Sequence, residues 1–115
     1  MLADVSRKNL GKEVMQVEEI FVEIPGYSNY AVSNYGTVCN VKHERDLTPQ
    51  PDSKGRMLVQ LYKNGIPKTF FVHRLVAQAF FVDYDDDADV YHISEDKADN
   101  CITNLHLERR LWSRD

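Results

Sequence analysis

The run Val90-Tyr91-His92-Ile93-Ser94-Glu95-Asp96-Lys97-Ala98-Asp99-Asn100, followed by Asn104-Leu105, concentrates the side chains of this 115-residue chain that could do chemistry. A histidine such as His92 can take or give a proton near neutral pH. Nearby amides can orient its ring, and carboxylates can hold a cation. Tyr91, immediately before the histidine, is a neutral phenol with a pKa of about 10 and a poor ligand for a hard cation.

The other chemistry-bearing residues read more plainly. His73 stands where a strand gives way to a helix and is expected to pack or start the helix. His43 lies in a hydrophilic stretch and is expected to be solvated. Read alone, His92 is a core or surface histidine, and Asn104 can tie a turn without any partner in catalysis. Cys39 and Cys101 are too few and too far apart for a zinc set. They are expected to be reduced thiols in or near the core. The acidic run 83–89 lacks the ligand spacing and central glycine of a calcium loop. Tyr27, Tyr30 and Tyr35 are expected to pack rather than to stack on bases.

The elements that must position these residues follow from pattern and punctuation. Residues 1–16 are polar without a sustained period and are expected to form a flexible arm. Val17, Ile20, Phe21, Val22 and Ile24 supply a first apolar cluster, ended by the Pro25-Gly26 turn. Ala31-Val32-Ser33 reads as a strand, Asn34-Tyr35-Gly36 as a turn, and Thr37–Val41 as the returning strand. Residues 42–56, with Pro49 and Pro51, read as a surface loop. Met57–Tyr62 and Lys68–Val72 form a hairpin across residues 63–67, with Asn64-Gly65 as the turn dipeptide. The period then changes, and Leu75, Val76, Ala79 and Phe80 fall on one stripe of a helix over 73–81. Residues 83–89, five of them Asp, are expected to be an exposed loop. Val90–Ile93 reads as a strand, Ser94–Asn100 as a turn, Thr103–Leu107 as a strand, and Leu111-Trp112 as the start of a helix. The fold class is α+β: small antiparallel sheets and hairpins with one main helix, in one compact domain with no internal repeat. Its divisions are the arm at 1–16, strands and loop at 17–56, and the hairpin, helix and C-terminal unit at 57–115.

Two segments resemble known families. Ile24-Pro25-Gly26-Tyr27 and then Tyr30-Ala31-Val32-Ser33-Asn34-Tyr35-Gly36-Thr37-Val38 resemble the NUMOD4 motif found beside HNH homing endonucleases of phages. Val72-His73-Arg74-Leu75-Val76-Ala77-Gln78-Ala79-Phe80, then His92-Ile93, Lys97, Asn100 and Asn104-Leu105, are similar to the HNH (ββα-metal) unit that follows that motif. The resemblance covers residues 18–108 and implies a truncated ββα-metal unit at the C-terminal end. It also implies roles: His92 as the general base that takes a proton from water, and Asn104 as the asparagine that fixes its ring. A divalent cation, Mg²⁺ or Mn²⁺, would stabilise the leaving oxygen.

The same resemblance places Asp or Asn where Tyr91 stands, and a His or Asn near Ser113, two residues before the chain ends. Both ligand positions are therefore compromised, though Asp89, Asp99 or His106 could substitute for one of them. No metal or other cofactor is expected, and Mg²⁺ or Mn²⁺ only if the nuclease is active. His92 and Asn104 are then vestigial.

The net charge of −4 hides an asymmetry that bears on partners. Residues 39–74 hold seven Lys/Arg against three acids, whereas residues 83–99 hold eight Asp/Glu against Lys97 alone. The basic block makes Lys42, Arg45, Lys54, Arg56, Lys63, Lys68 and Arg74 candidate phosphate contacts, and DNA the expected partner. The acidic block makes Asp83, Asp85, Asp86, Asp87, Asp89, Glu95 and Asp96, with Asp99, a candidate surface for a basic host nucleic-acid-processing protein. The chain would then be an inhibitor. The expected function is DNA binding without catalysis. The alternatives are that inhibitor and an active Mg²⁺-dependent nicking enzyme. No membrane span or signal peptide is visible, so a cytoplasmic protein is expected, in the host cell if phage-encoded. No small-molecule substrate is expected.

Overall fold

The computed structural model describes residues 18–108. The expected arm at 1–16 and the helix expected from Leu111 lie outside the described residues. Among the described residues no helix is long and apolar enough to cross a membrane.

The first unit is a four-stranded antiparallel sheet in the order β1 (Phe21–Ile24), β2 (Tyr27–Ser33), β3 (Val38–Asn40), β4 (Arg45–Asp46). Its inner residues are Ile24, Tyr30, Val32 and Val38, all buried. Of the apolar cluster expected at its start, Ile24 is buried but Ile20 and Phe21 are exposed. The loop expected over 42–56 is more ordered than its composition suggested. It holds β4 and also β5 (Gln50–Pro51), which joins the next sheet.

That second sheet, in the order β5, β6 (Met57–Lys63), β7 (Ile66–Phe71), contains the hairpin the sequence pointed to. Its turn is tighter than expected, only Asn64 and Gly65, with φ of 54° and 78°. Two successive positive φ values are the type I′ geometry that matches strand twist, and Asn-Gly supplies both at low cost. Along β6, buried Val59 and Leu61 alternate with exposed Gln60 and Tyr62, so one face meets the core and the other meets solvent.

β7 runs straight into α1 (Val72–Phe80) with no intervening loop. Val72, Leu75 and Val76 turn inward, which places the helix against the first two sheets. A last hairpin, β8 (Asp89–His92) with β9 (Leu105–Glu108), closes the chain after a 3₁₀ turn at Ile102–Asn104. One apolar cluster joins Ile24, Tyr30, Val32 and Val38 to Val59 and Leu61, to Val72, Leu75 and Val76, and to Leu105. All three sheets and the helix thus share one core. The Tyr62 backbone N–H donates to the Tyr30 hydroxyl at 3.2 Å, a second tie between the first two sheets. Cys39 and Cys101 are free thiols, and burial, reinforced by Asp46, pushes the Cys39 thiol up from its ordinary pKa.

Candidate functional site

His92 ends β8 directly opposite Leu105, the first residue of β9. Because residues facing each other in an antiparallel pair share a sheet face, buried Leu105 draws His92 toward the core side. Tyr91, paired with His106, is turned to solvent.

The histidine has a partner, but not the expected one. His92 Nε2 lies 2.7 Å from Asn100 Oδ1. Asn104 instead serves the backbone of the intervening loop. Its Oδ1 accepts from Ser94 N–H at 3.0 Å and its Nδ2 donates to the Asp99 carbonyl at 2.9 Å. Asn104 therefore locks the loop that carries Asn100, and Asn100 holds the ring. Both asparagines are buried.

A second histidine reaches the site from the helix. His73, the second residue of α1, is only 7% exposed, and its ring centroid lies 4.9 Å from that of His92. The Phe71 ring also packs against His73, with centroids 5.2 Å apart. Burial, then the neighbouring His92 and the Arg74 charge, pull its pKa down to about 4. His73 is thus a neutral ring at physiological pH, and its Nδ1 is buried with no hydrogen-bond partner. The sequence reading of His73 as a packing residue holds; what it packs against is the would-be base.

The cation half of the site is different in kind. Tyr91 is 50% exposed, its hydroxyl donates to Asp89 Oδ2 at 3.3 Å, and its ring stacks on His106 with centroids 6.5 Å apart. His106 Nε2 in turn meets Glu108 Oε1 at 3.0 Å. Asp99 Oδ1 accepts from the Cys101 N–H at 3.3 Å. Among the described residues no three His, Cys, Asp or Glu side chains gather as a ligand set. Position 91 offers a phenol, a poor ligand for a hard divalent cation. The second ligand position, near Ser113, lies outside the described residues.

The basic residues divide into two groups. Arg56 is committed to structure: it bridges Asp52 at 2.7 Å and stacks on Phe71 at 4.6 Å. Partial desolvation acts to raise the Asp52 pKa. The Arg56 guanidinium and the Arg56 and Lys54 N–H groups outweigh that effect and hold it down to about 2. Arg74 is committed too, since its Nη2 donates to the Tyr84 hydroxyl and to the carbonyls of Asp86 and Ala88 at 3.0 to 3.2 Å. The expectation that Arg56 and Arg74 offer their charge to phosphates does not suit this geometry. Lys42, Arg45, Lys54, Lys63 and Lys68 are exposed. Lys63 and Lys68 rest over the rings of Tyr27 and Phe70, at 4.7 and 5.4 Å. Tyr27 packs edge-on to Tyr30 and Phe70, as expected for a structural role.

Between the first two sheets runs a furrow that sequence reasoning missed. One part, of about 470 Å³, is lined by Tyr30, Asn40, Arg45, Thr48, Gln60 and Tyr62 among others. A second, of about 430 Å³, continues from Thr48 and Gln60 to Gln50, Leu58 and Thr69. The only sequence signal for it was the polar alternation along β6.

The acidic loop is partly drawn back onto the fold. Ala88 is buried, Arg74 takes two of the loop's carbonyls, and Asp85 Oδ1 accepts from the Asp87 N–H at 2.8 Å. Asp83, Asp86 and Asp87 are exposed, Asp85 and Asp89 half-buried. Glu95 and Asp96 are exposed in the next loop, where Asp96 Oδ1 accepts from the Ala98 N–H.

The chain is similar to known proteins in sequence and in fold. Residues 19–65 match the NUMOD4 motif. The chain is 40% identical over 84 residues to DNA endonuclease I-HmuI of Bacillus phage SP01, covering 72% of this chain and 48% of that protein. It is 32% identical over 89 residues to the H-N-H endonuclease F-TflII of Escherichia phage T5, covering 76% and 46% respectively. A similar protein of Acanthamoeba polyphaga mimivirus, the uncharacterized HNH endonuclease L245, is 33% identical over 78 residues, covering 68% of this chain and 24% of that one. This chain therefore spans about a quarter to a half of the length of these relatives. A solved structure, described as DNA binding and cleavage by the HNH homing endonuclease I-HmuI, superposes with a TM-score of 0.73 at 37% identity. It covers 78% of this chain and 52% of the solved one. Residues 19–65 are a NUMOD4 motif, and the chain is an HNH-endonuclease-like protein related to the homing endonucleases of phages.

Proposed function

We propose that this protein binds duplex DNA through the furrow and the outer face of the β6–β7 hairpin, and that it does not cleave what it binds. The observation that carries the first half is the lining of the furrow. Arg45, Asn40, Gln60, Gln50, Thr48 and Thr69 are side chains that pair with base edges, and they line two adjoining depressions that share Thr48 and Gln60. The exposed Lys42, Lys54, Lys63 and Lys68 supply charge for the phosphates. A relative whose solved structure is described as binding and cleaving DNA supports the partner class.

The second half rests on Tyr91. A phenol turned to Asp89 and stacked on His106 stands where the family places an oxygen ligand. Without that ligand, His92 has a held ring but no cation opposite it to stabilise a leaving oxygen. A specific observation favours the rival reading of an active nicking enzyme: the 2.7 Å contact between His92 and Asn100 keeps the base in order. The acidic loop gains less support as a docking surface for a host protein, because Arg74 already engages it.

Supercoiled plasmid incubated with the protein and Mg²⁺ or Mn²⁺, beside a His92→Ala control, tests the absence of cleavage. Intact plasmid in both is the expected result. Nicking that disappears in the control would overturn the inactive reading. Binding to a duplex fragment, followed across salt concentrations, tests the interface. Affinity should fall by roughly one power of salt concentration for each phosphate contacted. Undetectable or salt-independent binding would reject DNA as the partner.

A further inference from the structure

The turn at Asn34–Gly36 lies far from His92 in sequence, yet it touches the loop that holds the histidine. A β-carbon built on Gly36 would meet the Asn100 carbonyl carbon at 2.9 Å and its Cβ and O at 3.0 Å. Only a residue without a side chain allows the two backbones to come so close. The Ile102 N–H donates to the Asn34 carbonyl at 2.8 Å, two residues beyond Asn100.

The turn itself is braced. Asn34 Oδ1 accepts from the Ile20 N–H at 2.7 Å, and its Nδ2 donates to the Glu18 carbonyl at 3.1 Å. Ser33 Oγ accepts from the Tyr35 and Thr37 N–H groups, each at 3.1 Å, and donates to Glu19 Oε2 at 2.7 Å. Ser33 is fully buried and Asn34 nearly so. Asn104 fixes the same loop from its other end. Asn100 is therefore seated between two anchored stretches, with its amide oxygen aimed at His92 Nε2.

We infer that the Asn34–Gly36 turn of the NUMOD4 motif is a positioning element for His92. It seats Asn100, whose side-chain oxygen accepts a hydrogen bond from Nε2–H and so leaves Nδ1 as the ring nitrogen that carries the lone pair. A neutral imidazole bears one proton, and an acceptor beside one ring nitrogen holds the proton on that nitrogen. His73 packs against the same ring, with the two planes inclined at 59°. Asn100 bonds the His92 ring, Gly36 acts on it through Asn100, and Ile102 joins the turn to the loop.

Long-range proton–nitrogen correlation NMR of the histidine rings at pH 8 tests this in the protein alone, without DNA or cation. A plasmid assay that contradicts the proposed function would leave its outcome untouched. The wild type should show His92 as the Nε2–H form with a slowly exchanging imidazole proton. Asn100→Ala should lose that proton signal and give averaged shifts, and Asn100→Asp, which keeps the acceptor, should restore it. Gly36→Ala should perturb the His92 ring. Gly65→Ala is its control: Gly65 also has a positive φ, of 78°, but nothing lies within 4 Å of an added β-carbon. It should leave the His92 ring unchanged.

If Gly36→Ala does not fold, Ile102→Pro removes the N–H that reaches Asn34, and with it part of the Ile102 packing against the core, at the first position of a 3₁₀ turn where proline is tolerated. It should give the same perturbation. An Nδ1–H tautomer in the wild type, or an unchanged ring in Asn100→Ala, would overturn the role of Asn100. A His92 ring that responds equally to Gly65→Ala, or not at all to Gly36→Ala and Ile102→Pro, would overturn the role of the turn.

Discussion

His73 and His92 lie with ring centroids 4.9 Å apart and planes inclined at 59°, one from the start of α1 and one from the end of β8. Burial is the larger cause, and the neighbouring His92 the next, of the lowered His73 pKa. The buried partner, His73, is the one that stays neutral.

A pH dependence of stability follows. The His73 pKa is depressed from 6.5 to about 4 on folding, so between those values the unfolded chain binds more protons than the native one. Stability is full above pH 6.5 and is lost as pH falls toward 4. The loss amounts to about 3 kcal/mol at most. Urea unfolding at pH 7 and pH 4.5 should show it, and His73→Phe should flatten that part of the profile. A profile in His73→Phe as steep as in the wild type would assign the loss to other groups.

Leu61 is fully buried at the centre of the shared core. Leu61→Ala should destabilise the protein by roughly 2–5 kcal/mol, as a cavity there has walls from two sheets and the helix. The denaturation midpoint should shift while the slope stays constant.

Arg45 and Arg74 should separate DNA contact from architecture. Arg45→Ala should weaken duplex binding, relax base preference at one position of the site and leave the melting temperature unchanged. Arg74→Ala should lower the melting temperature and increase amide exchange over residues 83–89, since it removes the bonds to Tyr84, Asp86 and Ala88. Equal effects of the two substitutions on DNA affinity would show that Arg74 serves both purposes.

Restoring oxygen ligands should restore cation chemistry if Tyr91 and Ser113 are what removed it. The double substitution Tyr91→Asp, Ser113→Asn should gain Mn²⁺-dependent plasmid nicking that His92→Ala abolishes. Failure of the double variant to bind Mn²⁺ by titration would place the defect elsewhere in the site.

Much of this architecture is legible in the residues, and the exceptions have physical reasons. Asn64-Gly65 announces the hairpin because only such residues accept two positive φ values, and the change of period after Phe71 announces the helix. Arg45-Asp46 and Gln50-Pro51 carry no strand propensity of their own. Their pairing is imposed by Cys39 and Asn40 on one side and by Met57 and Leu58 on the other. The basic residues look alike in sequence, yet Arg56 and Arg74 are held by Asp52 and by loop carbonyls that only the folded chain brings within reach. Spacing cannot tell which of Asn100 and Asn104 reaches the ring and which reaches the backbone, and only the folded loop decides it.

The missing β-carbon at Gly36 has a consequence for how such proteins can be recombined. The two sequence motifs meet backbone to backbone there and share their hydrophobic interior. A chimera that swaps one motif for a foreign counterpart must therefore import the matching half of that contact, or it assembles with a misaligned histidine. The two halves are one structural unit, whatever chemistry either half retains.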